Sequence, residues 1–288
     1  NLGSLFSSIG KLEEAKTTYE KSLSLETINP NKTKQIVDYL LVLSKLALWD
    51  DIKKYSDSLP QIGIIGRSIN PMSLMYLEDN PEHHLKRAIN FNQDNKKKEL
   101  PNLNYKKKSK INVGYFSSDF NQHAVSVLLT RILELHDQSQ FNIYAYSLYN
   151  QDDEYTKRIK DAVYCFREVK DLGDLEIVDL ARNDQLDIAI DLNGYTLNNR
   201  ASIFCYRVAP IQINYLGYPG SLGSKSYDYI LADKVIIPEE YKKFYTEKVL
   251  YHPTCHLPYD NTKYISNKRF SREKLGLPKE GFVFACFN

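Results

Sequence analysis

Ala209-Pro-Ile-Gln-Ile-Asn-Tyr-Leu-Gly-Tyr-Pro-Gly220, read beside Gly114-Tyr-Phe-Ser-Ser-Asp-Phe-Asn-Gln-His123, decides the fold. Each is a short apolar run that ends in small, turn-forming and hydroxyl-bearing residues. A buried parallel strand has this form where it delivers polar groups to the carboxyl edge of a sheet. Working outward, strand-like runs occupy Ile111–Phe116, Phe141–Leu148, Leu186–Leu192, Ile211–Leu216 and Tyr227–Leu231. Helical periodicity fills the gaps at His123–His136, Glu154–Val163, Leu175–Asn183 and Asn198–Arg207. Strand alternating with helix requires parallel pairing through right-handed crossovers, hence an α/β, Rossmann-like doubly wound sheet over 111–270.

Upstream the period changes. Gly10-Lys-Leu-Glu-Glu-Ala15 supplies a turn and then a small residue where two antiparallel helices approach. Leu12, Ala15, Tyr19 and Leu23 follow one buried helical face. Leu2-Gly3, Gly10, Ala15, Tyr19 and Leu23 also match the offsets of a tetratricopeptide repeat, so an all-α segment over 1–59 is expected to precede the sheet. Ile36, Tyr39, Leu40, Leu43, Leu46 and Ala47 read as its degenerate continuation. Residues 60–110, punctuated by Pro60, Gly63, Gly66, Pro71 and Pro81, read as a transition with a short helix near Glu82–Asn90. His83 and His84 would lie on a solvated face of that helix, and the lysines at 96–98 and 106–108 read as a solvated linker. Ser271–Pro278 reads as a short helix stopped by Gly276, and Phe282–Phe287 as a strand opening a further unit at 271–288.

With 288 residues, 42% hydrophobic and a net charge of +2, the chain can hold one large or two modest domains. No global field draws it to nucleic acid or to a membrane. No stretch reaches the ~18 apolar residues of a spanning helix. Cys165, Cys205, Cys255 and Cys286 form no C-x-x-C pair and read as reduced core thiols, which fits a cytoplasmic protein.

Three clusters can carry chemistry. His123 stands at the start of a helix, where an imidazole suits a phosphate, a sugar hydroxyl or a proton transfer, and equally suits capping the helix. Asp119 divides in the same way between cap and pocket, with Ser118 beside it. Asn193, Gly194, Tyr195 and Thr196 end a second strand, and there Gly194 lets backbone approach a ligand. Gly217, Tyr218, Pro219 and Gly220 form a sharp turn at a third strand end. Asp179 and Arg182 lie three apart on one helix face, the spacing of a surface ion pair. His252 and His256 flank Pro253-Thr-Cys255 with no carboxylate or third ligand nearby in sequence, so no metal site is assigned.

Taken together, these segments resemble glycosyltransferase family 41, the group of protein O-linked N-acetylglucosamine transferases and SPINDLY. The resemblance is carried by Gly114-Tyr-Phe-Ser-Ser-Asp-Phe…His123, Asp187-Ile…Asp191-Leu-Asn-Gly-Tyr-Thr196, Arg207-Val-Ala-Pro-Ile-Gln212, Leu216-Gly-Tyr-Pro-Gly220, Asp228-Tyr-Ile…Ala-Asp233 and Leu275-Gly-Leu-Pro…Phe-Asn288. It implies the first half of a GT-B catalytic core behind repeats that present protein substrates. It further implies inverting transfer of N-acetylglucosamine from UDP-GlcNAc to Ser or Thr, with neither cofactor nor metal. By the same resemblance His123 acts in catalysis or positioning and Asp179 is a candidate base, while Ser118, Asp119, Asn193–Thr196 and Gly217–Gly220 line the pocket. The family's catalytic lysine and nucleotide-binding residues would follow Asn288, so this stretch alone is expected to be inactive. A SPINDLY-type O-fucosyltransferase using GDP-fucose, or a non-catalytic repeat scaffold, is the alternative. Val208 departs from the family's usual proline, and Val127 and Arg182 from histidines of the animal enzymes.

Overall fold

A computed structural model describes residues 2–24, 33–93, 100, 103, 108–149 and 151–286. Among the described residues the chain opens with α1 (Leu2–Ser8), α2 (Leu12–Ser24), α3 (Thr33–Lys45) and α4 (Trp49–Lys53). Gly3 lets α1 approach α2: a Cβ there would stand 2.8 Å from the Tyr19 ring. Ala15, Tyr19, Leu40, Leu43 and Leu74 close a helical core of their own, as the periodicity requires.

The stretch between helices and sheet is more than a connection. Helix α5 (Pro81–Gln93) buries Ala88 and packs Phe91 into the core of the sheet domain. Its Arg87 is fully buried, donates to the carbonyls of Leu59 (2.7 Å) and Ile62 (2.9 Å), and pairs with Glu78. His83 and His84 are consequently not on a solvated face: His83 Nδ1 lies 2.8 Å from Glu78 Oε1 and His84 Nε2 2.8 Å from the Glu78 carbonyl. A buried guanidinium requires partners, and Glu78 with its neighbours supplies them.

The sheet then forms from β1 (Ile111–Ser117), β2 (Phe141–Ser147), β3 (Cys165–Glu168), β4 (Ile188–Asp191), β5 (Ile211–Tyr215), β6 (Tyr229–Ala232) and β7 (Lys248–Tyr251). All pairs are parallel in the order β3-β2-β1-β4-β5-β6-β7. Helices α6 (Ala124–Leu135) and α7 (Glu154–Ala162) cover one face, and α8 (Asp174–Asn183) with a 3-10 turn at Ala201–Tyr206 covers the other. Strand alternation divides β1 and β2 between them: Val113, Tyr115, Ile143 and Ala145 face α6 and α7, while Phe116, Tyr144 and Tyr146 face α8. Both faces are covered, so the expected doubly wound sheet is present.

Strands β3 and β7, absent from the sequence reading, are the two edges. The helix expected at Asn198–Arg207 is the 3-10 turn, and the expected stop at Gly276 is present, with its φ at 66°. The strand expected at Phe282–Phe287 does not form within its described part: residues 282–286 carry no regular structure, and Phe284 is 91% exposed. An apolar run becomes a strand only where a neighbour accepts its hydrogen bonds. The expectation of four core thiols is corrected too, since Cys255 and Cys286 are exposed. Among the described residues no helix is long and apolar enough to cross a membrane.

Candidate active site

In this strand order the winding reverses between β1 and β4, and the crevice outside their carboxyl ends is where such sheets bind ligands. The site is built from there. β4 ends in Asp191, fully buried, whose Oδ1 accepts the N–H groups of Asn193 (2.9 Å) and Gly194 (3.0 Å). Its Oδ2 accepts the Tyr227 hydroxyl at 2.6 Å. Burial pushes this carboxyl upward, against the opposing pull of those donors. Asp191 thereby folds the chain back into a turn at Gly194, where φ is +55° and a Cβ would stand 2.5 Å from Tyr218 Cβ. Only glycine meets both conditions.

The turn aims Asn193 at the end of β1. Its Oδ1 accepts the Ser118 N–H (2.8 Å), and its Nδ2 reaches Ser118 Oγ (2.9 Å), Asp119 Oδ2 (2.7 Å) and Thr196 Oγ1 (3.2 Å). Ser118 Oγ donates to Asp119 Oδ1 at 3.0 Å, and Ser117 Oγ accepts the Asp119 N–H at 2.9 Å. The rest of this loop is secured from α7: Asp153 Oδ2 accepts the Gln122 N–H, and Thr156 Oγ1 donates to the Phe120 carbonyl at 2.8 Å. Asp191, Tyr227, Asp153 and Thr156 were missed as functional residues. Of these only Asp153, an aspartate placed as a helix N-cap, left a local signal in the sequence.

His123 is the N-cap of α6, and its Nδ1 accepts the Val125 N–H at 3.3 Å. Asp119 Oδ1 lies 3.9 Å from the same nitrogen, and the imidazole is 49% exposed against 18% for the Asp119 side chain. The capping reading of this histidine is therefore observed, and the ring keeps half of its surface exposed. With Nδ1 accepting, the neutral ring carries its proton on Nε2, which is then a hydrogen-bond donor. It stands beside the positive end of α6, a setting suited to phosphate or sugar oxygens.

The remaining predicted residues divide sharply. Thr196 is half-buried at the rim. Ser118 and Asn193 are buried inside the network and act as its frame. Tyr195 and Tyr218 do not line an opening: they are 3% and 1% exposed, with ring centroids 5.4 Å apart, and Tyr195 donates to the Leu222 carbonyl at 2.6 Å. Gly217 is demanded by packing, because a Cβ there would stand 2.1 Å from the backbone oxygen of Leu192. Gly220 is buried under the Tyr218 ring, while Pro219 is exposed and its carbonyl accepts from Tyr245 at 3.0 Å.

Asp179 is exposed on the middle turns of α8 and makes no hydrogen bond or ion pair among the described residues. It lies five residues, or about 7.5 Å of helix rise, below Asp174, which pairs with Arg200 at the carboxyl edge. The ion pair expected of Asp179 with Arg182 does not form. Arg182 instead grips the carbonyls of Tyr206 (2.5 Å) and Arg207 (3.2 Å). The absence of a carboxylate near His256 is also corrected, since the fold brings Asp233 Oδ2 to 3.0 Å from His256 Nδ1.

Known proteins share this architecture. The SEC protein of Arabidopsis thaliana, described as a probable UDP-N-acetylglucosamine–peptide N-acetylglucosaminyltransferase, is 34% identical over 185 residues, covering 62% of this chain and 19% of the relative. A Caenorhabditis elegans protein described as a UDP-N-acetylglucosamine–peptide N-acetylglucosaminyltransferase is 33% identical over 146 residues, or 50% of this chain and 13% of its own. SPINDLY of Arabidopsis thaliana is 31% identical over 153 residues, covering 52% and 17%. The chain thus spans less than a fifth of these relatives. A mutant O-GlcNAc transferase of Thermobaculum terrenum superposes with a TM-score of 0.69 at 22% identity, over 89% of this chain and 50% of that one, which establishes a shared fold. The profile of Glycosyl transferase family 41 matches residues 87–270, a span that begins on α5 and contains every part of the hydrogen-bonded frame around His123, and the chain belongs to that family.

Proposed function

We propose that this chain is part of a protein O-glycosyltransferase that moves N-acetylglucosamine from UDP-GlcNAc to Ser or Thr hydroxyls, with inversion at the anomeric carbon. The observation that carries the reading is the half-exposed His123, held at the switch point between β1 and β4 by the Asp191–Asn193–Asp119 frame. In such a transfer the acceptor oxygen bonds to the anomeric carbon, the bond to the diphosphate breaks, and the hydroxyl proton leaves. Charge grows on the diphosphate, so donors already aimed at it lower the barrier. The Nε2–H of the half-exposed His123 and the amino end of α6 would serve as such donors. Asp119 is the carboxylate nearest that imidazole, which makes it a better candidate than Asp179 for the acceptor side. Protein acceptors would approach along the helical segment 2–59, and the setting would be the cytoplasm.

The test is incubation of the full-length protein with acceptor protein and labelled UDP-GlcNAc or GDP-fucose. Label from UDP-GlcNAc on Ser or Thr supports the reading. Label from GDP-fucose alone moves the protein to the SPINDLY activity, and none from either overturns the transferase reading.

A further inference from the structure

The carboxyl ends of β6 and β7 bring together three residues that the transfer chemistry leaves unused. Asp233, directly after β6, is 4% exposed, and its carboxylate is oriented by backbone. Oδ1 accepts the N–H groups of Val235 (2.8 Å) and Ile236 (2.9 Å), and Oδ2 accepts that of His256 (2.9 Å). The His256 N–H, first among these donors, holds the Asp233 carboxyl well below the usual carboxylate range. His256 is 9% exposed and turns its Nδ1 to the same Oδ2 at 3.0 Å. Cys255 is exposed, and its sulfur lies within 4.8 Å of both the Asp233 oxygen and the His256 ring nitrogen.

We propose that Asp233, Cys255 and His256 form a binding site for a thiophilic divalent cation of the zinc class. One thiolate, one imidazole and one carboxylate make a zinc donor set, and they disfavour magnesium or calcium, which prefer oxygen ligands. Ligand atoms on one tetrahedral zinc stand roughly 3–4 Å apart. The Asp233–His256 separation already meets this, and rotation of the exposed Cys255 side chain closes the remainder. The fourth position falls on the solvent side and takes water. On binding, Cys255 releases its thiol proton to solvent, and His256 ligates through Nδ1 as the neutral imidazole with its single proton on Nε2. The N–H donors on Asp233 persist as the outer support that orients a metal-bound carboxylate.

The site adjoins the loop after β5. The Tyr215 hydroxyl donates to the His256 carbonyl at 2.9 Å, and His256 shares a small cavity of about 10 Å³ with Leu216, Tyr218 and Pro219. A bound cation would therefore tie the segment after β7 to the end of β6, beside the loop after β5, without touching His123.

Cobalt reports the site directly, through the sulfur-to-cobalt charge-transfer band and the visible bands of a four-coordinate ion. The reduced full-length protein is titrated with Co²⁺ and then with Zn²⁺ as competitor. The expected result is a thiolate–cobalt band that Zn²⁺ abolishes, that Cys255→Ser lacks, and that His256→Gln forms at least about tenfold more weakly. Cys255 is exposed, so its replacement by serine leaves the fold intact and the comparison interpretable. A titration without a thiolate band, or one whose band survives in Cys255→Ser, overturns the proposal.

Discussion

The loops after β1 and β5 share one signature in the sequence, an apolar run ending in small and hydroxyl-bearing residues, and they serve opposite ends. After β1 the polar groups support an exposed one: Ser117, Ser118 and Asp119 are tied into a frame that leaves His123 at 49% exposure. After β5 the groups turn inward. Tyr218 is 1% exposed, Glu247 is buried and holds Ser221 and Leu222 at 2.7 Å each, and Asn214 donates to the carbonyls of Tyr218 and Gly220. Leu216 is held at a φ of +73°, which a non-glycine residue keeps only where its surroundings over-determine it. One loop presents the half-exposed candidate His123 and the other braces the turn that aims Asn193. A strand end rich in glycine and tyrosine thus marks close backbone approach as readily as a ligand site.

Four substitutions test this contrast. The largest effect is expected from Gly217→Ala, since the new methyl meets the Leu192 carbonyl oxygen at 2.1 Å. Backbone cannot yield as a side-chain tip does, so denaturant unfolding should register a loss of about 3 kcal/mol or more, or no folded protein at all. Next comes Asn193→Ala, which strips partners from the Ser118 N–H and the Asp119 carboxylate. Each buried group left unpaired costs roughly 1–3 kcal/mol, and sugar transfer by the full-length protein should fall with the loss of the frame. A result confined to stability would detach Asn193 from the site.

The third is a pH effect on the bracing loop. Burial pushes the Glu247 carboxyl above its ordinary value, against the Leu222 N–H and the Ser221 hydroxyl. A carboxyl raised on folding binds its proton more tightly in the folded state. Its stabilising contribution is present below the unfolded pKa of about 4.3 and is lost as pH climbs toward the folded value. Glu247→Gln should flatten that decline, and an unchanged stability–pH slope between pH 4 and 7 would show that Glu247 does not titrate there. The smallest effect belongs to Tyr218→Phe. The Tyr218 hydroxyl is buried with no partner among the described residues, so removing it should be neutral or slightly stabilising in thermal unfolding.

The interior strands were legible because burial on both faces writes a continuous apolar run. β1, β2 and β5 begin at the residues the pattern indicates and end within one residue of the expected position. β3 and β7 were not, for a physical reason. Each is a four-residue edge strand in which charged Arg167 and Glu168, or Lys248, interrupt the run, so neither period nor apolar length announces it. The site was legible to the same extent. His123, Asp119 and Asn193 follow strands and so fall at the carboxyl edge. Asp191 and Asp153 take their meaning from Tyr227 and Gln122, partners that only the folded chain supplies. Val208, which stands where the family usually has proline, donates its N–H to Gln212 Oε1 at 2.8 Å, a bond that a proline there could not make.

The most direct measurement is kcat/KM for sugar transfer by the full-length protein carrying His123→Ala, set beside one carrying Tyr218→Phe. If the loop after β1 presents the chemistry and the loop after β5 braces it, His123→Ala loses about 100-fold or more while remaining folded. Tyr218→Phe then transfers at the unaltered rate. Full transfer by His123→Ala, with Tyr218→Phe crippled, would contradict that division and move the site to the β5 loop.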